Sequence, residues 1–453
     1  MEPTTVYLTS LGCPKNRVDS EVILGTLMSG GYEPVENPLE AQVIVVNTCS
    51  FIESATQESI DTILELAQAK ESGLCRLLVV AGCLPQRYGR KLVESMPEVD
   101  LFVGTSSFVQ LPALITNCQT GGVERLLVEP PRYLMTSQTP RALSAPFYRG
   151  YLKIAEGCDN RCTFCTIPAI RGPYRSRPLE DLLQEAEWLA SEGVVELNLI
   201  AQDTTAYGSD SGNLTGLPDL LKALAKTNRF AWIRLLYGYP NRINHALLEV
   251  MKSHDCICDY LDLPFQHVSS RLLRAMGRAG SVEEFHRLVA YLRTSLPRIT
   301  LRTTFMVGFP GETEADFQKL YDFVEQTRFH RLGIFTYSAE RGTKAARMKN
   351  HVPEHIKKER LAVIADLQER ISLDYHKRLL DTVQPVLIEG TSSETDLLLE
   401  GRLASQAPEV DGRVLINKGF GQVGKIMPVR ITEAHPYDIV GEVVNPRGRS
   451  DLF

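Results

Sequence analysis

A chain of 453 residues, 43% hydrophobic and 23% charged, is too long for one compact core and predicts two or three globular domains. No apolar run of about 18 residues is present, which argues against a membrane-spanning helix, and Met1 to Ser10 lack the basic and apolar segments of a secretory leader, so a reducing, cytoplasmic setting is expected. A net charge of −6 argues against a nucleic-acid binder, and ten cysteines in a reducing compartment point to metal or catalysis rather than disulfides.

Short apolar runs at Thr5–Thr9, Val43–Val46 and Leu77–Ala81 read as buried strands. Each is followed by helical periodicity, at Val18–Met28, Thr56–Ala69 and Arg87–Met96. That alternation predicts a parallel-sheet α/β domain over residues 1–120. Residues 121–147, with Pro130, Pro131, Pro140 and Pro146, read as a linker. A second alternation within 148–380 places strands at Tyr151–Ala155, Val195–Ile200, Trp232–Leu236, Tyr260–Leu263, Leu301–Val307 and Leu332–Tyr337. Six strand-helix units fall short of a closed eightfold barrel and predict a partial (βα)6 barrel. A long amphipathic helix, Pro353–Leu380, leads into residues 381–453. There short strands at Val383–Glu389, Asp396–Arg402, Arg413–Ile416, Met427–Ile431 and Ile439–Val443 predict a small β-barrel.

Cys158, Cys162 and Cys165 follow the first barrel strand, with three and then two residues between them. Three thiolates from one loop suit an iron-sulfur cube with one iron left open, where a cofactor can bind and react. A structural zinc site needs a fourth ligand, and the next histidine is His245. Cys13, Cys49 and Cys83 are 36 and 34 residues apart, each just past a predicted strand. Ligands of open parallel sheets gather outside the carboxyl ends of the strands, so these three can converge on a second cluster. Cys75, Cys118, Cys256 and Cys258 lack such settings and read as inert thiols.

The loop Gly157-Cys158-Asp159-Asn160-Arg161-Cys162-Thr163-Phe164-Cys165 resembles the cluster loop of the radical S-adenosylmethionine superfamily. Together with the strand-end cysteines and the terminal small barrel, it is similar to the methylthiotransferase family over nearly the whole chain. The resemblance implies two [4Fe-4S] clusters, with Cys158, Cys162 and Cys165 catalytic. It also implies S-adenosylmethionine as methyl donor and radical source, a TRAM barrel for substrate recognition, and an electron donor such as flavodoxin or ferredoxin. Cofactor contacts are expected from Gly308 and Gly311, in a glycine turn opening a helix, and from Glu196, Gln202 and Gln266 near barrel strands.

The segments Ser10-Leu11-Gly12-Cys13-Pro14-Lys15-Asn16, Ala201–Gly208 and Tyr260–His267 resemble the branch of the family that methylthiolates the β-carbon of an aspartate in small-subunit ribosomal protein number twelve. The branch that modifies tRNA adenosine typically has Gln-Met-Asn after the first cysteine, which this chain lacks. From 381 to 453, eleven acidic residues stand against seven basic ones, a net of −4, which suits a basic ribosomal protein better than a phosphate backbone. On that view the last domain is a substrate arm whose removal spares cofactor cleavage. The alternatives are tRNA modification and a non-catalytic iron-sulfur sensor or cluster carrier.

Overall fold

The computed structural model of the chain describes residues 3–120, 124–144, 146–210, 212 and 216–444. Strands β1 (Thr4–Ser10), β2 (Tyr32–Pro34), β3 (Val43–Thr48), β4 (Leu77–Gly82), β5 (Leu101–Val103) and β6 (Leu126–Leu127) form one parallel sheet in the order β2-β1-β3-β4-β5-β6. The central β3 and β4 are buried at every residue, which is why they read as unbroken apolar runs. Val18, Val22 and Leu27 of the helix Pro14–Ser29 cover one face, and Ile63, Leu84 and Leu92 cover the other.

The helix predicted at Arg87–Met96 is instead two short ones, Cys83–Tyr88 and Arg90–Ser95, parted where Gly89 takes φ +54°. The segment predicted as a linker also differs, because β6 extends the sheet. Beyond it, Arg141 inserts between the domains, pairing with Glu21 at 2.6 Å and with Glu185 on a barrel helix.

The centre of the molecule holds β7 (Arg149–Lys153), the short antiparallel pair β8 (Ala155–Glu156) and β9 (Arg175–Ser176), and then β10 (Glu196–Ile200), β11 (Trp232–Leu235), β12 (Ile257–Asp262), β13 (Thr300–Val307) and β14 (Arg331–Thr336). A six-stranded parallel sheet runs β14-β13-β12-β11-β10-β7, the partial barrel expected. Leu197 and Leu199 of β10 face the outer helices, while Glu196, Asn198 and Ile200 alternate with them. The helix Glu354–Lys377 packs Ile364, Leu367 and Ile371 into the same core. Strands β15 (Val383–Thr391), β16 (Leu399–Leu403), β17 (Val414–Lys418), β18 (Ile426–Ala434) and β19 (Ile439–Val443) close a barrel around Val386, Ile388, Val414, Val429 and Ile431. Arg447, Arg449 and Asp451, counted above in the charge of this domain, lie outside the described residues.

The two smaller domains pack mainly against different ends of the central barrel and touch each other where Arg17 pairs with Glu409 at 2.6 Å. At the amino ends of its strands, Glu196, the first residue of β10, is fully buried between Arg234 (2.8 Å) and Arg402 of β16 (2.5 Å). Tyr260 donates to Asp411 at 2.6 Å, and Ala407 N donates to the same carboxylate at 2.9 Å. At the carboxyl ends, Lys153, the last residue of β7, pairs with Asp19 of the N-terminal domain, and Arg171 pairs with Asp19 at 2.5 Å.

Candidate iron-sulfur and radical site

In the N-terminal sheet, pairing sets Ser10 opposite Asn47, and Asn47 and Thr48 opposite Ala81 and Gly82, so Cys13, Cys49 and Cys83 leave three adjacent strand ends in register. Asn16 ties these ends together: its side-chain amide donates to Leu11 O (2.6 Å) and Thr48 O (3.3 Å). Thr48 Oγ1 donates to Ala81 O at 2.6 Å and accepts from Leu84 N. Gly12 takes φ +91°, and a Cβ there would lie 2.5 Å from the Cys49 Cβ. Glycine is thus what lets the first two cysteine loops touch.

Burial pushes the Cys83 thiol up to about 12 and raises Cys49 as well. The Arg171 guanidinium donates to Cys83 Sγ at 3.3 Å and opposes that shift. Buried thiols flanked by a cation become ligands when a metal's charge deprotonates them.

The Cys158 loop is held from both sides. Cys158 N donates to Gly172 O, Thr163 N to Met276 O, and Ala345 N to Thr163 O. Cys158, Cys162 and Cys165 open on one cavity of roughly 700 Å³, also lined by Asn160, Thr343 and Lys344. That volume accommodates a cluster together with a small cofactor. Arg278 lies 3.7 Å from Cys162 Sγ, and burial pushes Cys165 up to about 12. Among the described residues no three His, Cys, Asp or Glu side chains could hold a single metal ion. Three thiolates around a void suit a cube of four irons better.

Beside Cys83 lies a buried charge cluster invisible to motif reading. Lys153 and Arg171 each pair with both Asp19 and Glu156. Burial alone would raise Glu156, but Lys153 and Arg171 bring it down to about 2. Gln202 joins this cluster, donating to Glu156 at 2.9 Å, while its carbonyl oxygen is buried without a partner. Asp203 pairs with Arg242 and accepts from Asn160 of the cysteine loop.

Other expected contacts fall differently. Glu196 stands at the amino end of its strand, and its carboxylate, drawn down to about 2 by Arg402 and Arg234 against the effect of burial, is a structural partner rather than a cofactor ligand. Gly308 N donates to Glu312 within its own turn, Gly311 N donates to Asn350 O, and a Gly308 Cβ would meet Lys357. The N–H groups of both glycines are therefore engaged within the protein, in the turn that leads into the helix Glu314–Thr327. Gln266 (φ +71°) bridges to β13, donating its N–H to Thr304 O at 2.8 Å. Of the remaining cysteines, Cys258 is buried beside Arg234 at the amino end, and burial pushes it up to about 11.

Comparison with known proteins follows this geometry. Residues 5–104 match the uncharacterized protein family UPF0004, 152–324 the radical SAM superfamily, and 382–444 the TRAM domain. The chain is 49% identical to the ribosomal protein uS12 methylthiotransferase RimO of Geotalea uraniireducens (strain Rf4), over 97% of this chain and 98% of that one. This chain belongs to the RimO methylthiotransferase family. A second RimO, from Geobacter sulfurreducens, is 48% identical over 97% of this chain and 98% of its own length. Among solved structures, the radical S-adenosylmethionine methyltransferase TsrM from Kitasatospora setae shares the fold at TM-score 0.59 and 16% identity, covering 84% of this chain and 91% of that chain. Membership in the RimO family makes the chain a radical S-adenosylmethionine enzyme of the α/β class with a terminal TRAM barrel.

Proposed function

We propose that this chain, like the RimO proteins it matches, is the methylthiotransferase of ribosomal protein uS12, acting at the β-carbon of an aspartate. The supporting observation is that one three-cysteine set lies at the strand ends of the N-terminal sheet and another at the barrel mouth, with Arg171 joining the first set, at Cys83, to Glu156 just before Cys158. Cys158, Cys162 and Cys165 would hold one [4Fe-4S] cluster and Cys13, Cys49 and Cys83 a second. When bound, these clusters supply the electron that cleaves S-adenosylmethionine to a 5′-deoxyadenosyl radical and an anchor for the sulfur to be methylated and transferred.

The chain's own residues fix the geometry of that chemistry. Asp19 and Glu156, gripping Lys153 and Arg171, fasten the sulfur-bearing domain over the barrel. Arg87 and the amide of Glu53 hold Glu340 at 2.8 and 2.9 Å, fastening the loop that lines the cavity at Thr343 and Lys344. A β-carbon hydrogen is not acidic enough for a side-chain base, and a site closed by buried ion pairs keeps water from a reactive radical. Gln202 and Gln266 remain the cofactor contacts of choice at this mouth.

The TRAM barrel is not a detachable acidic arm. Three of its carboxylates are engaged in ion pairs, Glu389 with Arg402, the exposed Glu409 with Arg17 and Arg149, and Asp411 with Arg302. Its floor-closing role therefore stands beside substrate recognition. A flavodoxin or ferredoxin would supply electrons in the cytoplasm; among the described residues no helix is long and apolar enough to cross a membrane. The test is anaerobic reconstitution with iron, sulfide, S-adenosylmethionine, reductant and uS12. Mass spectrometry should place a methylthio group on an aspartate of uS12, and an adduct on tRNA adenosine instead would refute the reading.

A further inference from the structure

Lys15 lies two residues beyond Cys13, in the first turn of the helix Pro14–Ser29, and reaches away from its own domain. Its ammonium sits 3.1 Å from the centroid of the Tyr237 ring. Tyr237 follows β11 at the carboxyl end of the barrel, in the left-handed region at φ +62°, its amide directed at Asp262, the last residue of β12. An N-terminal-domain cation is thus planted over the barrel mouth, beside a cysteine of the sulfur-bearing set.

Its neighbours make it unusual. Lys153 and Arg171 each have two carboxylates, Asp262 is paired with Arg302 at 3.0 Å, and Arg278 is engaged by Pro264 O. Among the described residues, no carboxylate lies within ion-pair distance of the Lys15 ammonium and no hydrogen-bond acceptor meets it. A largely desolvated cation without a counter-ion is expensive, and an aromatic face offsets only part of that cost. Such a group is matched to an anion that arrives.

Resting on the function proposed above, the identity of that anion follows from geometry. The reacting β-carbon must lie between the radical site and the sulfur site, and an aspartate carries its carboxylate one bond from that carbon. We propose that Lys15, held over Tyr237, receives the carboxylate of the substrate aspartate and sets the enzyme's preference for aspartate. Tyr237 and the Cys13 loop hold the ammonium in place before substrate enters, so the ion pair forms with little reorganisation.

The test uses the reconstituted full chain and uS12 carrying either aspartate or asparagine at the modified position, reading both equilibrium Kd and initial rate. The native enzyme should favour the aspartate form by about 10- to 100-fold, the worth of one charge-assisted contact. Lys15→Met should bring that ratio close to one, and Lys15→Arg should restore most of it. A native enzyme that accepts both forms equally, or a preference that persists in Lys15→Met, overturns the inference alone. Weakened S-adenosylmethionine binding in Lys15→Met with the aspartate preference intact would assign the ammonium to the cofactor and also overturn it. If the native enzyme leaves the aspartate form unmodified, the proposed function falls first and this inference with it.

Discussion

The two ends of the central barrel are both sealed by buried ion pairs, yet they are built differently. At the amino end, Glu196 is enclosed by Arg234 and Arg402, and Asp411 by Arg302 and Tyr260, so charges of the barrel and the TRAM domain meet one another. At the carboxyl end, paired charges lie beside the Lys15 ammonium, held only by an aromatic face, the Gln202 carbonyl, which has no partner, and Cys158, Cys162 and Cys165, which open on a cavity. Burying an uncompensated polar group costs stability, and a fold tolerates it where a ligand supplies the partner. Both ends leave some buried polar atoms unpaired, Arg234 Nη2 at the amino end among them, and what sets the carboxyl end apart is that its cysteines open on a cavity.

The comparison is broken most forcefully at the amino end. Glu196→Ala leaves the buried Arg234 without a carboxylate and Arg402 with Glu389 alone, and should cost about 3–5 kcal/mol in denaturant unfolding. Protein that stays folded should still cleave S-adenosylmethionine. Loss of cleavage in fully folded protein would show that this end belongs to the site after all.

Acid should loosen the two ends in sequence. His376, fully buried at the joint between the long helix and the TRAM barrel, donates from Nδ1 to His435 O at 2.6 Å, and burial pulls it down to about 4. A histidine kept neutral in the fold contributes its stability above about pH 6.5, its unfolded value, and loses it as pH falls toward 4. That contribution is about 3 kcal/mol, since each pKa unit is worth about 1.4 kcal/mol. Glu156 at the carboxyl end, with its pKa near 2, keeps its contribution until pH falls below about 4.5. Urea unfolding at pH 7.5 and pH 5 should show the loss, and His376→Gln should flatten it; an unchanged slope in that variant would remove the histidine from the account.

A smaller change sharpens the carboxyl end. Gly12→Ala places a Cβ 2.8 Å from Cys49 Sγ at a backbone conformation that disfavours side chains, a strain of about 1–3 kcal/mol. The variant should fold but take up iron poorly at the N-terminal set, measured as iron per chain after reconstitution.

The sequence made the architecture readable where burial is extreme or periodic. Val43–Thr48 and Leu77–Gly82, buried on both faces, betray themselves as apolar runs, and the cysteines that follow them fall at in-register strand ends. What escaped reading depends on contacts between distant segments. Lys153 and Asp19 are 134 residues apart, and nothing local tells either that it will be paired. Glu196 falls at the start of the predicted strand, away from the carboxyl end, and its enclosure by Arg234 and by Arg402 from a distant domain is what local pattern cannot show. The turn at Gly308–Thr313 has the glycines of a ligand loop, but its donors are taken by Glu312 and Asn350, which composition cannot reveal.

The division of labour between the two cysteine sets is the claim on which everything else rests, and paired triple substitutions test it directly. Native protein reconstituted anaerobically should hold about eight irons, four for each cube. Cys158, Cys162 and Cys165 replaced by Ala should halve the iron and abolish 5′-deoxyadenosine formation. Cys13, Cys49 and Cys83 replaced by Ala should also halve it, yet retain cofactor cleavage while methylthio transfer to uS12 stops. Full transfer by that second variant would contradict the account.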